Sequence, residues 1–293
     1  MDTGTITAAL SNGPLLGKDL YRSTGISIFE LWRTSHIEFE IARVGNRYLR
    51  FDRNVDGYAR MSPAIEREFS TYSVIGLKGD TEAIASRARS LEQDIKAISS
   101  RKMRVAENSI KRATAGLNPK GMCCVIGGDV PLGMAHDAPR PEKSTGKLVA
   151  GSDLDLVVIV TDAMPENSLD DLDERLYKEK FSLLKNPHRK EELDYLVKRF
   201  SRVKEQARFD SFESMVACKI LNEGKLLYGD AELYESVIHL LDENAIPSKL
   251  VELKKIATVR RHDAEEYLLK KGSIAQEEYM KLFTTSEEFG EIF

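Results

Sequence analysis

The sequence predicts an α+β (α/β) protein. Residues 122–126 and 156–160 form two short, unbroken apolar runs, the mark of strands covered on both faces. Helical periodicity surrounds them. Ile84, Leu91, Ile95, Ile98 and Val105 make one apolar stripe, and Leu169, Leu172, Leu176, Phe181 and Leu184 make another. Nearer the start, residues 36–44 alternate polar and apolar side chains, which predicts a β-rich N-terminal region.

The elements follow in order. Residues 1–24 are rich in Gly, Ser and Thr and predict a loose segment. Residues 36–52 read as a hairpin turning at Gly45-Asn46, with a second turn at Asp56-Gly57. Ser62 as N-cap, Pro63 at the first helical position and Glu66 in the first turn predict a short helix. Residues 71–77 suit a strand, and residues 80–117 one long helix or two consecutive ones. Residues 129–151, with Pro131, Pro139, Pro141, Lys143 and Lys147, read as a surface loop or as a lid whose lysine touches a phosphate. Residues 168–184 predict a helix that breaks at Asn186-Pro187. Residues 188–206 fit a helical stripe best, and a strand around Asp194 second. Asp210 or Ser211 caps a helix over 212–222, and residues 231–242, 249–271 and 275–283 are helical before an acidic end (Glu287, Glu288, Glu291). The expected domains are 1–115, 116–230 and a helical C-terminal segment, 231–293.

Composition narrows the function classes. With 42% hydrophobic and 31% charged residues, the 293-residue chain has the make-up of a folded protein with a polar surface. A net charge of −4 argues against a strongly basic nucleic-acid binder. Cys123, Cys124 and Cys218 form no disulfide framework or metal-finger spacing, so a reducing, cytoplasmic setting is expected. No apolar stretch approaches about 18 residues, so no membrane association is expected. His36, His136, His188, His239 and His262 show no metal-ligand spacing, and surface or loop positions suit them. Arg260-Arg261-His262 reads as a solvated helix face, and Trp32 as core.

The chemistry concentrates in Gly151-Ser152-Asp153-Leu154-Asp155-Leu156. Asp153 and Asp155 are two apart on a strand, so they share a face. Their mutual repulsion is best relieved by a divalent cation between them. Upstream, the apolar run ends in Gly127-Gly128, where the backbone lets a ligand approach closely.

The order Ile126-Gly127-Gly128, then Asp153-Leu154-Asp155-Leu156, then Glu223-Gly224-Lys225-Leu226-Leu227-Tyr228 resembles the nucleotidyltransferase superfamily typified by DNA polymerase β. The spacer between the first two pieces is longer than is usual there. The Ser after the first glycine and the Arg that often follows it are absent. The resemblance implies a small mixed sheet with helices packed on it. It also implies Mg²⁺-dependent (or Mn²⁺-dependent) transfer of a nucleoside monophosphate from an NTP, ATP foremost, to a hydroxyl. The acceptor is a small molecule, a protein hydroxyl or an RNA 3′ end. Asp153 and Asp155 would bind metal, with a third acid on a later strand, either Asp210 or Asp194. Gly127, Gly128, Ser152 and Lys147 would line the phosphate site. A nucleotide-sensing protein with a degenerate transferase domain is the alternative.

Overall fold

The computed structural model of the chain describes residues 3–142, 146–186 and 190–285. The expectations at Lys143, Pro187, His188, Glu287, Glu288 and Glu291 lie outside the described residues. The chain opens with α1 (Thr3–Leu10), β1 (Leu15–Leu16), α2 (Gly17–Thr24), α3 (Ile28–Glu38), β2 (Glu40–Arg43), β3 (Tyr48–Phe51) and β4 (Ala59–Ser62). There follow α4 (Ile65–Tyr72), β5 (Ser73–Gly76), α5 (Thr81–Ala113), β6 (Met122–Gly127), β7 (Pro139–Pro141), β8 (Leu148–Ala150) and β9 (Leu154–Val160). Then come α6 (Glu166–Lys185), β10 (Leu193–Arg199), α7 (Phe200–Gln206), α8 (Phe212–Glu223) and β11 (Lys225–Gly229). The chain ends in α9 (Ala231–Glu243), α10 (Ile246–Lys270), a helical turn α11 (Gln276–Glu278) and a π-helical turn (Tyr279–Phe283). Mixed helix and strand in small sheets agree with the α+β class.

Two compact units result, one of Met1–Ile95 with Leu253–Phe293, the other of Lys96–Glu252. The expected boundaries at 115 and 230 differ from these. The reason is that α5 and α10 run unbroken through the crossings, so no Gly or Pro marks them. No helix among the described residues is long and apolar enough to cross a membrane.

The first unit is more helical than the sequence predicts. Residues expected to be loose form α1 and α2, because Ile6, Leu10 and Leu20 bury themselves with Phe29, Leu31 and Trp32. Residues 36–38, expected in a strand, end α3, and His36 Nδ1 donates to the Trp32 carbonyl one turn back (2.7 Å). The 36–52 hairpin is also corrected. Strand β2 pairs antiparallel with β5, whereas β3 pairs with β4. Helix α4 starts two residues after Pro63, with Ala64 and not Ser62 at its N-cap. Arg261, expected in solvent, is buried. It donates to the Pro63 carbonyl (2.8 Å) and pairs with Glu265 (2.7 Å), while Arg47 grips both oxygens of Glu68 (2.6 Å each). Burial opposes charge on Glu68, but the bonds from Arg47 and the charges of Arg261, Arg47 and Arg43 outweigh it and hold the carboxyl below its usual range. A cavity of about 710 Å³ in this unit is bordered by Arg60, Met61, Arg260, Tyr267 and Lys281.

The second unit is built on a four-stranded mixed sheet of order β10-β9-β6-β11. Its strands alternate between two buried faces. Met122, Cys124, Ile126, Leu154, Leu156, Val158 and Leu193 pack on Val105, Ala106 and Ile110 of α5 and on Leu172, Leu176 and Leu183 of α6. The other face meets α8 and α9, where a side chain at Gly127 or Gly224 would strike Ile220 or Val125. Both faces are thus covered, which is why β6 and β9 read as continuous apolar runs. Lys102, fully buried on α5, donates to the Ala150 carbonyl (2.7 Å) and to Glu191, tying the helix to the segments that enter β9 and β10.

Candidate functional site

The site is set by strand register. Strand β9 runs antiparallel to β6 and parallel to β10. Asp155 therefore stands opposite Gly127 on one side and Asp194 on the other. Cross-strand partners share a face of the sheet, with backbones about 4.8 Å apart, so Asp155 and Asp194 stand side by side in one row of the strand register. Asp153, two residues before Asp155, extends that row at the mouth of the sheet.

Two glycines make room for the row. Gly127 has no side chain to crowd its partner Asp155. Gly128 has φ +72°, and a Cβ there would come within 2.3 Å of Asp155 Oδ2. The carboxylate thus rests directly against the Gly128 backbone, and only glycine suits both the conformation and the contact.

The structure separates the two candidates for the third acid. Residues 193–199, with their better helical stripe, form strand β10 and carry Asp194 into the row. Residues 200–206 form helix α7, so Asp210 does not follow a strand. Asp210 is exposed in the turn before α8 and is not on the sheet; Ser211 is the N-cap of that helix, accepting the Ser214 amide (3.2 Å). The helix-Gly-strand segment at Glu223 to Tyr228 supplies the end of α8 and then β11, which pairs antiparallel with β6.

The remaining candidates divide. Ser152 is buried; its hydroxyl donates to Asp129 (3.1 Å) and accepts the His136 amide (3.1 Å), which fixes the turn into β9. His136 is buried in the same contact, not at the surface. Lys147 is exposed just before β8, which pairs antiparallel with β7, while Val130, Met134 and Ala135 earlier in the spacer are buried.

Three charged residues at the site escaped the sequence reading. Arg140, on β7, donates through Nε to the Gly151 carbonyl (2.9 Å). Its Nη2 lies 2.6 Å from Glu192 Oε2, where neither atom is aligned for a hydrogen bond, and 3.5 Å from Asp153 Oδ2. Lys180, on α6, holds Asp194 Oδ1 at 2.6 Å. Burial works against the charge of Lys180, but the bond to Asp194 and the charges of Asp194, Glu192 and Glu142 hold its ammonium above the ordinary value. Burial pushes the Glu192 carboxyl up, Arg140 opposes this, and Asp194 and Asp153 reinforce it. Arg140 stood between two prolines in extended chain, a visible oddity; Lys180 and Glu192 carried no signal. Among the described residues no three His, Cys, Asp or Glu side chains are gathered into a ready metal cluster.

Farther along β10, Lys198 is buried and donates to Gln206 Oε1 (2.9 Å). Burial pushes its ammonium down to about 8, with Arg202 adding to the shift and Cys218 opposing it. Between about pH 8 and 10.5 the unfolded chain holds a proton that the folded chain has released, so this residue makes stability rise with pH. The thiols of Cys123 and Cys218, raised to about 12 and about 11 by burial, act in the opposite sense above pH 9. The readout is therefore wild type minus Lys198→Met. Urea unfolding should show that difference growing by about 1–3 kcal/mol between pH 8 and pH 10. A difference flat with pH would mean that Lys198 keeps its ordinary proton affinity.

No protein-family model matches the chain, and no curated protein matches it.

Proposed function

We propose that the Lys96–Glu252 unit is a nucleotidyltransferase that moves an NMP from an NTP to a hydroxyl acceptor and releases pyrophosphate. The observation that carries the reading is the row Gly127, Asp155, Asp194 across three adjacent strands, with Asp153 beside it. The donor set suits a hard divalent cation, since it offers carboxylate oxygens only, next to a glycine backbone that admits phosphate.

In this reading Asp153 and Asp155 would hold Mg²⁺, and Asp194 would complete the set. Bound there, the metal would neutralise charge on the phosphate oxygens as the acceptor oxygen bonds to the α-phosphorus and the bond to pyrophosphate breaks. Asp194, half-exposed at the mouth, receives the proton from the acceptor hydroxyl. The amides of Gly127 and Gly128 face phosphate without side chains in the way. Ser152 acts on the loop and not on the substrate, and Asp210 has no part.

The test uses purified protein, Mg²⁺, each of four α-³²P-labelled NTPs, and cell-derived protein and RNA with small hydroxyl compounds as acceptors. Label should move to one acceptor class with wild type and not with Asp155→Asn. NTP binding without transfer to any acceptor would instead support the nucleotide-sensing alternative.

A further inference from the structure

Two acids of the row, Asp194 and Asp153, already lie beside cations of this chain. Lys180 takes Asp194, and Arg140 stands between Glu192 and Asp153. A divalent ion seated on Asp153 and Asp194 would compete for the same oxygens and would repel both side chains. Yet neither cation is locked. Lys180 reaches Asp194 at the end of a flexible stem that stays 29% exposed, and among the described residues Asp194 is the carboxylate it holds at hydrogen-bond distance. Arg140 is anchored through Nε to the Gly151 carbonyl, which leaves Nη2 free to exchange partners. Its contact with the 95%-buried Glu192 has the distance of a hydrogen bond without the alignment. The 3.5 Å contact with Asp153 is the looser of its two ion pairs.

Resting on the transferase reading, we propose that Lys180 and Arg140 are a built-in counter-ion latch: they hold the acids closed to metal until a triphosphate arrives and takes both cations onto its own oxygens. Metal and nucleotide then bind as a pair. Each makes room for the other, and the coupling is reciprocal. Lys180 and Arg140 thereby become the phosphate ligands that the glycine loop, lacking the Ser and Arg usual in the resembled family, does not supply.

The experiment titrates Mn²⁺ into the full chain by electron paramagnetic resonance, with and without the α,β-methylene analogue of ATP, after allowance for the metal–nucleotide complex in solution. In wild type the analogue should tighten Mn²⁺ by about tenfold or more. In Lys180→Met, Mn²⁺ alone should bind about tenfold tighter than to wild type, the coupling should shrink to about threefold or less, and the analogue should bind more weakly. Lys180→Gln, at a half-exposed helical position, should repeat the result and guard against misfolding of the first variant. Unchanged Mn²⁺ affinity or unchanged coupling in both variants would overturn the latch alone. Wild type that binds neither Mn²⁺ nor the analogue would overturn the transferase reading and the latch with it.

Discussion

Asp194→Asn lowers the rate of label transfer on the order of a hundred- to a thousandfold, while Asp210→Asn stays within about twofold of wild type. The contrast comes from topology. Asp194 is the register partner of Asp155 on a parallel strand, whereas Asp210 is exposed in the turn before α8. Asparagine keeps the shape of Asp194 but removes the charge that, in the proposed site, would draw a divalent ion and the basic oxygen that would accept the acceptor's proton. Single-turnover rates at saturating NTP separate this from a binding defect. Equal losses in the two variants, or a larger one in Asp210→Asn, would reject the three-strand site.

The second large effect belongs to Gly128→Ala, measured against Gly133→Ala. The two glycines have nearly the same backbone, with φ +72° and +70°. Alanine at either position carries a left-handed penalty of roughly 1–2 kcal/mol. At Gly133 the new Cβ meets nothing within 4 Å, but at Gly128 it comes within 2.3 Å of Asp155 Oδ2. Both variants should lose similar stability in thermal unfolding apart from that clash. Only Gly128→Ala should lose transfer, again on the order of a hundredfold or more, because the carboxylate must swing out of the row. Equal activity in the two would mean that Asp155 does not work where it rests.

The sheet was legible where strands are buried on both faces. Residues 122–126 and 156–160 have no polar interruption, and the glycines and acids at their ends fall at one edge. Strand β10 was harder. Leu193, Leu196, Val197, Phe200 and Val203 keep helical spacing across a boundary at which strand β10 becomes helix α7. Leu196, half-exposed at 52%, spoils both strict alternation and a continuous apolar run. The signal that points to the acid is the echo of Leu154-Asp155-Leu156 in Leu193-Asp194-Tyr195, two apolar-Asp-apolar triplets that pair residue for residue. In the first unit tertiary packing overrides local pattern. The 36–44 alternation is real, but Phe29, Leu31 and Trp32 draw the chain into α3 up to Glu38. Arg261 fails for a related reason, since a run of basic residues does not reveal which of them meets buried carboxylates.

Strand β10 and strand β11 are the two outermost strands of the second unit's sheet, and each is marked in a way that matters for aggregation. An outer strand offers open backbone groups to any other chain. Strand β10 carries Asp194, Lys198 and Arg199 in seven residues, and β11 is broken by a register shift between Leu226 and Tyr228 before it ends at Gly229. Charge on one edge and a bulge on the other are both known deterrents to strand addition. The carboxylate that the proposed chemistry would use on β10 is thus also one of the charges that deter strand addition beside the exposed Leu196.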